Sequence, residues 1–423
     1  MAEVEVQQQQ QLEEVGSADI VLGVFSHNSA QTIAHAVRTG QESLLTRFPD
    51  TRAILVNVDG GSKDGTPELA MEAAIDKKSF MQTAYSLPRL SVSDYGVPGK
   101  AEAYQAVFGM ATKLGARACA VVDSNITSFT GDWVELLLTP VVQQEYDLVA
   151  PCYLRHKYDG PILNGIVYPL TRALYGKRLR QPIGGEFAFS GKLIDYLTRQ
   201  PQLDGTSGFG VDAWISSRAS SADFRLAQAC LGPRTVVHNE PVPEVSTVLA
   251  DALGAIFSEM VETATVWQRI RNSEPVPTFG SECEMIEEGS DTSPIDVHPM
   301  VETFRLGFSN LQDIWRLVLS PATLVELKRM GFRSADAFQF DDVFWARVIY
   351  DFALAYRLRV IDRNHLLRAL TPIYLGWVAA YILSVRNKSA KEAQDRIEEL
   401  CLAYEIQKGY FISRWRWPDR FNP

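Results

Sequence analysis

A short apolar run that ends in polar side chains is the stretch of this sequence best suited to chemistry. Residues 118–122 read Ala-Cys-Ala-Val-Val, and Asp123, Ser124 and Asn125 follow directly. Such a run is typical of a buried parallel strand, and open α/β sheets bind ligands beyond the carboxyl ends of their strands. The oxygens of Asp123 and Asn125 suit a hard divalent cation that carries phosphates. Turns that follow strands favour the same residue types, so this pair alone does not decide between a site and a turn.

The preceding chain alternates between strand-like and helix-like segments, and this alternation positions the polar residues. Apolar runs at 19–25 and 53–58 read as buried strands, the second ending at Asp59, and 101–114 has helical spacing. The alternation predicts an α/β fold with a mostly parallel, Rossmann-like sheet. The glycines make neither a GxGxxG nor a GxxxxGK[ST] pattern, which disfavours dinucleotide-binding and P-loop functions.

Changes in composition along the chain predict its domain organisation. We expect a disordered polar tail at 1–18, a catalytic domain at 19–271, an exposed acidic linker at 272–299 and a helical C-terminal domain at 300–423. The helical domain is also the expected place for contacts in a homodimer.

Charge and cysteine usage restrict the partners and the compartment. The 423 residues carry a formal net charge of -10, which argues against a nucleic-acid-binding function. The five cysteines form no CxxC pair, and the N-terminus has neither a basic nor an apolar signal region. We therefore expect a cytoplasmic protein. The uncharged stretch 369–385 is short for a membrane span and contains Pro372, so we expect a buried core helix and no membrane contact.

Four motifs in a fixed order resemble the GT-A fold glycosyltransferases. Within that group, the sequence looks most like the retaining families of mannosylglycerate synthase and glucosyl-3-phosphoglycerate synthase, over roughly residues 19–265. The motifs are Asp59-Gly60-Gly61-Ser62-Lys63-Asp64-Gly65-Thr66, Pro98-Gly99-Lys100-Ala101-Glu102-Ala103, Asp123-Ser124-Asn125, and Gln181-Pro182-Ile183-Gly184-Gly185-Glu186 with Gly210-Val211-Asp212 and His238 downstream.

The resemblance implies a donor site for a nucleoside-diphosphate sugar. It places Asp59 near the nucleoside, Lys100 at the diphosphate and Asp123 at the ribose and the metal. An ammonium group suits a phosphate. Gly184 and Gly185 would bring the backbone close to the sugar, because neither has a side chain.

The resemblance also implies a divalent metal held by Asp123, Asn125 and His238. Asn125 departs from the second Asp that these families usually carry, and a neutral amide oxygen binds a cation less strongly than a carboxylate. The expected ion is Mg²⁺ or Mn²⁺, and the imidazole of His238 would also admit Co²⁺.

The expected catalytic residues are Asp212, Lys100 and Glu186. Lys100 and the metal would stabilise charge on the leaving diphosphate, and the acceptor hydroxyl would attack from the face that the leaving group vacates. Arg155, Tyr158 and Asp212 match the region that binds the acceptor in these families. An arginine suits a small acid such as glycerate.

Three functions remain open at this stage. The first is a hexosyltransferase that makes a small compatible solute, with glycerate or phosphoglycerate as the acceptor. The second is a transferase that acts on a lipid-linked acceptor at a membrane through residues 369–385. The third is a nonenzymatic protein that binds nucleotide sugars. The presence of Asn125 in place of the usual second Asp favours this function.

Overall fold

The computed structural model describes residues 12–85, 99–200, 208–237, 244–286 and 295–418. The chain forms two compact units, a sheet unit and a helical unit. The sheet unit comprises Met1–Leu154, Leu179–Pro243 and Val276–Cys283, and the helical unit comprises Arg155–Arg178, Glu244–Pro275 and Glu284–Pro423. The predicted boundaries at 271 and 300 are therefore wrong. Two helical stretches of the predicted catalytic domain, within 155–178 and 244–275, belong to the helical unit.

The sheet unit contains an eight-stranded sheet in the order β10-β8-β5-β7-β4-β1-β2-β3. All neighbours pair in parallel except β7, which is antiparallel to both β4 and β5. The predicted mostly parallel α/β sheet is confirmed. Its strands are β1 (Ile20–Ser26), β2 (Ala53–Asp59), β3 (Phe80–Ala84), β4 (Ala118–Asp123), β5 (Leu148–Leu154), β7 (Ala188–Ser190), β8 (Leu226–Pro233) and β10 (Thr278–Phe279).

Apolar layers on both faces of the sheet explain why its strands read as continuous apolar runs. Val21 and Phe25 of β1 point into one core cluster, whereas Ile20, Leu22 and Val24 point into the other. Every residue of β1 and β4 is buried for this reason. The helices of this unit are Ile33–Arg47, Thr66–Ala73, Lys100–Leu114, Gly131–Gln144, Gly191–Thr198 and Gly208–Ser221, with a 3₁₀ turn at Lys77–Ser79.

The helical unit confirms the expectation of a helical C-terminal part over the described residues beyond 300. A two-stranded sheet of β6 (Lys177–Arg178) and β9 (Glu274–Pro275) lies in this unit as well. Its helices are Tyr168–Tyr175, preceded by a π-helical turn at Leu163–Val167, then Val245–Glu262, Ala264–Trp267, His298–Val318, Pro321–Gly331, Asp342–Leu358, Arg363–Ala369, Thr371–Val385 and Ala390–Arg416, with a 3₁₀ turn at Ala335–Ala337.

The uncharged stretch 369–385 forms part of the helical segment Arg363–Val385, which is long and apolar enough to cross a membrane. Its most apolar window is 72% buried within the protein. Trp377 on this helix stacks on Trp345, with ring centroids 5.5 Å apart. A methyl group on Gly165 would lie only 2.2 Å from the Trp377 ring, so the packing here is close. These contacts agree with the expected core helix.

The segment predicted as a free acidic linker forms defined pairings. Glu274–Pro275 is β9, Thr278–Phe279 is the edge strand β10, and Ile286 bridges to His156. An open sheet edge offers unpaired N–H and C=O groups, and an extended backbone can hydrogen-bond to them. The negative side chains of this segment do not prevent that pairing. Residues 287–294 lie outside the described part of the chain.

The N-terminal tail is shorter than predicted. Residues 12–15 form a helical turn whose Leu12 and Val15 pack against the core, and Ala18 is buried. The prediction of disorder is wrong for this stretch because two apolar side chains at helical spacing contact the core. Residues 1–11 lie outside the described residues.

Candidate active site

The carboxyl end of β4 carries three polar side chains in an unusual state. Its backbone is fixed, because Ser124 N donates to Phe25 O at 2.9 Å and Val237 N donates to Asn125 O at 2.9 Å. Yet Asp123 Oδ2, Ser124 Oγ and Asn125 Oδ1 are buried and have no hydrogen-bond partner among the described residues. Buried polar atoms are nearly always paired in native proteins. These oxygens therefore mark the end of β4 as a candidate ligand site.

A buried ion pair lies at the start of the helix Lys100–Leu114. Lys100 Nζ is 3.3 Å from Asp212 Oδ2, and the two side chains are only 3% and 2% exposed. The Tyr104 hydroxyl, one turn further along this helix, shares its single proton between Gly185 O at 3.0 Å and Asp212 Oδ1 at 3.4 Å. Both oxygens of Asp212 therefore accept hydrogen bonds, and the structure brings together the predicted residues Lys100, Asp212 and Gly185.

A second buried pair holds Glu186. Arg234 donates to it through Nη2 and Nε at 3.1 and 3.3 Å, and the hydroxyl of Tyr153 donates to the same carboxylate. Arg234 Nη2 also lies 3.8 Å from Asp123 Oδ2. Sequence reasoning missed Arg234 and Tyr153. The available signal was an arginine directly after β8, because parallel strands end at the same edge of a sheet.

Three carboxylates face two cations in this cluster, which we define as Lys100, Asp123, Glu186, Asp212 and Arg234. Burial raises the pKa of Asp212 to about 6; Lys100 opposes that rise, and Glu186 and Asp123 add to it. Burial alone would lower the pKa of Lys100, but the three carboxylates outweigh burial and raise it. With all five groups ionised, three carboxylates and two cations leave the cluster with one negative charge in excess.

Backbone proximity explains the two glycines of the Gln-Pro-x-Gly-Gly-Glu motif. A methyl group on Gly184 would lie 2.2 Å from Pro151 Cγ. Gly185 has a φ of +99°, and a methyl group there would approach Lys100 Nζ to 3.2 Å. The loop therefore needs glycine at both positions to bring its backbone up to the cluster.

Asp59 organises the loop that follows β2. Its carboxylate accepts hydrogen bonds from Ser26 Oγ at 2.9 Å, from Gly61 N at 2.9 Å, and from Ser62 N and Oγ at 2.8 and 2.6 Å. Both oxygens are thus engaged by the protein itself. The contact of Asp59 with a nucleoside stays a prediction.

Three other predicted residues are not part of the described cluster. His238 lies outside the described residues. Arg155 and Tyr158 belong to the helical unit, where Arg155 O accepts from Ile286 N at 3.1 Å and the Tyr158 ring lies 5.1 Å from that of His156. Their roles at the acceptor stay predictions.

The residues at the end of β4 fit part of a divalent-metal site. Asp123 Oδ2 and Asn125 Oδ1 are two hard oxygen donors that need a partner. Within the described residues, no group of three or more His, Cys, Asp or Glu side chains could hold a metal ion. The described chain thus offers two ligands, and the third predicted ligand, His238, lies beyond it.

Comparison with known proteins found similarity only among solved structures. No family model matches this sequence, and no curated protein matches it. Glucosyl-3-phosphoglycerate synthase from Mycobacterium tuberculosis in complex with Mg²⁺ and UDP is 22% identical, with a TM-score of 0.43 over 60% of this chain and 83% of that chain. The same enzyme with Mn²⁺, UDP and phosphoglyceric acid is 22% identical, with a TM-score of 0.43 over 67% and 88% of the two chains.

Proposed function

We propose that this protein is a retaining glycosyltransferase that moves a hexose, mannose or glucose, from a nucleoside-diphosphate sugar to a small acid such as D-glycerate. One observation carries the proposal. Asp123 Oδ2 and Asn125 Oδ1 are buried at the carboxyl end of β4 with no hydrogen-bond partner among the described residues, and Asp123 belongs to a cluster with one excess negative charge. A divalent cation that bridges to a diphosphate would satisfy both the oxygens and the charge.

The donor end of the site follows from these residues. Asp123 and Asn125, with His238 as the predicted third ligand, would hold Mg²⁺ or Mn²⁺, and such an ion neutralises charge on a departing diphosphate. Lys100 supplies a fixed ammonium close to the glycine backbone of Gly185. Its raised pKa keeps this ammonium protonated at neutral pH, as a phosphate-binding group requires.

Asp212 and Glu186 are the proposed catalytic carboxylates. Both Asp212 oxygens accept hydrogen bonds, from Lys100 and Tyr104, which favours stabilisation of a cationic sugar over nucleophilic attack. Attack by the acceptor hydroxyl on the face of the departing diphosphate would then retain the anomeric configuration. Glu186 is fixed by Arg234 and is suited to accept hydrogen bonds from sugar hydroxyls.

Glycerate is the leading acceptor and phosphoglycerate the alternative. A phosphate would call on further cations in the loop of Arg155, but the ammonium of Lys157 already donates to the carbonyl oxygens of Arg386 and Lys388 at 3.1 and 2.7 Å. That engagement makes Lys157 less available to a phosphate, which favours glycerate over phosphoglycerate. Arg155→Ala should raise the acceptor KM by roughly 30-fold or more, since losing a charge-assisted contact costs about 2–5 kcal/mol. An unchanged KM for every active acid would exclude this role.

A matrix of donors and acceptors tests the proposed activity. GDP-mannose and ADP-, GDP- and UDP-glucose are each incubated with glycerate, 3-phosphoglycerate or glycerol in the presence of Mn²⁺, and release of nucleoside diphosphate is measured. Lys100→Met should abolish release, whereas Lys113→Met, an exposed residue on the same helix, should not. If no pair reacts while the nucleotides still bind, the protein is a binding protein and not a transferase.

A further inference from the structure

Three of the five cysteines come together in the sheet unit. Cys152 of β5 and Cys230 of β8 are register partners on neighbouring parallel strands. Cys283 follows β10, and its thiol is in hydrogen-bonding contact with those of Cys152 and Cys230. Cys119 and Cys401 are buried elsewhere. The three cysteines are far apart in the sequence, and only the order of the strands in the sheet brings them together.

The chain after β10 is laid directly over Cys230. Phe279 pairs with Ala229, and a methyl group on Gly280 would lie 3.1 Å from Cys230 O. Ser281 Oγ then donates to Cys230 Sγ at 3.5 Å. These contacts fix the segment so that Cys283 reaches the strand thiols.

The two thiols differ in character. Cys283 donates to Cys230, and this bond lowers the pKa of Cys230 to about 6, because it stabilises the thiolate. Cys230 is 4% exposed, but the covering residues Ser281 and Glu282 are exposed and Cys283 is half-buried. The Cys230 thiol donates to Glu282 O at 3.7 Å and accepts from Ser281, so it lies beneath an accessible segment with a second thiol beside it. A thiol of lowered pKa next to a second thiol is the arrangement typical of cysteines that respond to oxidants. Burial raises the pKa of Cys119, so that thiol is expected to be inert.

We propose that Cys230 and Cys283 form a reversible disulfide in response to peroxide and so constitute an oxidative modification site. The bond would fasten the segment after β10 to β8. Four residues further along, the same chain carries Arg234, which holds Glu186. The inference is independent of the proposed transferase function.

The chemistry balances with hydrogen peroxide as the oxidant. The Cys230 sulfur bonds to one peroxide oxygen, the O–O bond breaks, and the departing hydroxide takes a proton to give water and a sulfenic acid. The Cys283 sulfur then attacks the Cys230 sulfur, the S–O bond breaks, and the second hydroxide leaves with the Cys283 proton as water. The thiol pair loses two electrons, and one peroxide becomes two waters.

Peptide mapping of the full-length protein tests the proposal. After treatment with hydrogen peroxide and alkylation, we expect a cross-linked peptide of Cys230 and Cys283 that is two hydrogen atoms lighter than the reduced pair. The free thiol count should fall from five to three, and dithiothreitol should restore it. Five remaining thiols, or a cross-link between other cysteines, would overturn the proposal.

Two serine variants make the test specific. Cys283→Ser should abolish the cross-link while leaving the unfolding midpoint of the reduced protein within error, because its side chain is half-buried. Cys401→Ser serves as the matched control and should leave the cross-link intact. If Cys283→Ser still loses two thiols to peroxide, the assigned pair is wrong.

Discussion

Asp212→Asn should stabilise the protein at pH 8, although it removes one partner of a buried ion pair. The pKa of Asp212 is raised from 3.8 to about 6 by burial, with Glu186 and Asp123 adding to this effect. This difference in pKa means that folding disfavours the ionised carboxylate by about 3 kcal/mol relative to the protonated one. An asparagine keeps the shape: its oxygen can accept from Lys100, and its Nδ2 can donate to the Tyr104 hydroxyl, which itself donates to Gly185 O.

The pH dependence has a definite sign. Between pH 4 and 6 the folded state binds more protons at Asp212 than the unfolded state, so stability falls as pH rises. The variant lacks this loss. The free energy of unfolding of Asp212→Asn should exceed that of the wild type by about 3 kcal/mol at pH 8 and by about half of that amount at pH 5.

Urea unfolding of both proteins at pH 5 and pH 8 measures this difference. The exposed Asp195→Asn on a neighbouring helix is the control and should change the free energy of unfolding little at either pH. The reasoning is refuted if Asp212→Asn is less stable than the wild type at pH 8. In that case the ion pair with Lys100 would outweigh burial.

The remaining stability predictions concern one cation in each unit and one glycine. Lys100→Met should cost about 3–5 kcal/mol in urea unfolding at pH 8, since it leaves three buried carboxylates facing Arg234 alone; a change below 1 kcal/mol would contradict the charge count. Arg414→Met should cost about 3–5 kcal/mol in the same assay, because it strips the buried Asp351 of its ion-pair partner; equal stability would show that Asp351 is neutral. Gly184→Ala should lower stability by about 1–3 kcal/mol, measured by thermal unfolding, because the added methyl meets Pro151 at 2.2 Å.

The sheet and part of the site were predictable because they depend on local patterns. Strands covered on both faces must be apolar throughout, so β1, β2 and β4 could be recognised directly. The carboxyl ends of parallel strands then collect Asp123 and its neighbours at one edge. Glycines that cannot accept a methyl group, such as Gly184, mark the loop that approaches this edge.

Features that depend on long-range packing were not predictable. Arg234 follows the end of β8, but only the position of β8 in the sheet brings it to Glu186. The division into units failed because residues 155–178 are helical but pack with the C-terminal helices, and the sequence carries no boundary signal at Leu154. Cys152 and Cys230 meet only because β5 and β8 are neighbours.

Nucleotide binding with and without metal tests the central claim most directly. UDP, GDP and ADP are titrated calorimetrically into the wild type and into Asn125→Leu, in Mn²⁺ or in excess chelator. The account predicts that at least one nucleotide binds, that chelation weakens binding by tenfold or more, and that Asn125→Leu loses this metal dependence. Equal affinity in Mn²⁺ and in chelator, or no binding of any nucleotide, would contradict a metal-assisted diphosphate site at the end of β4.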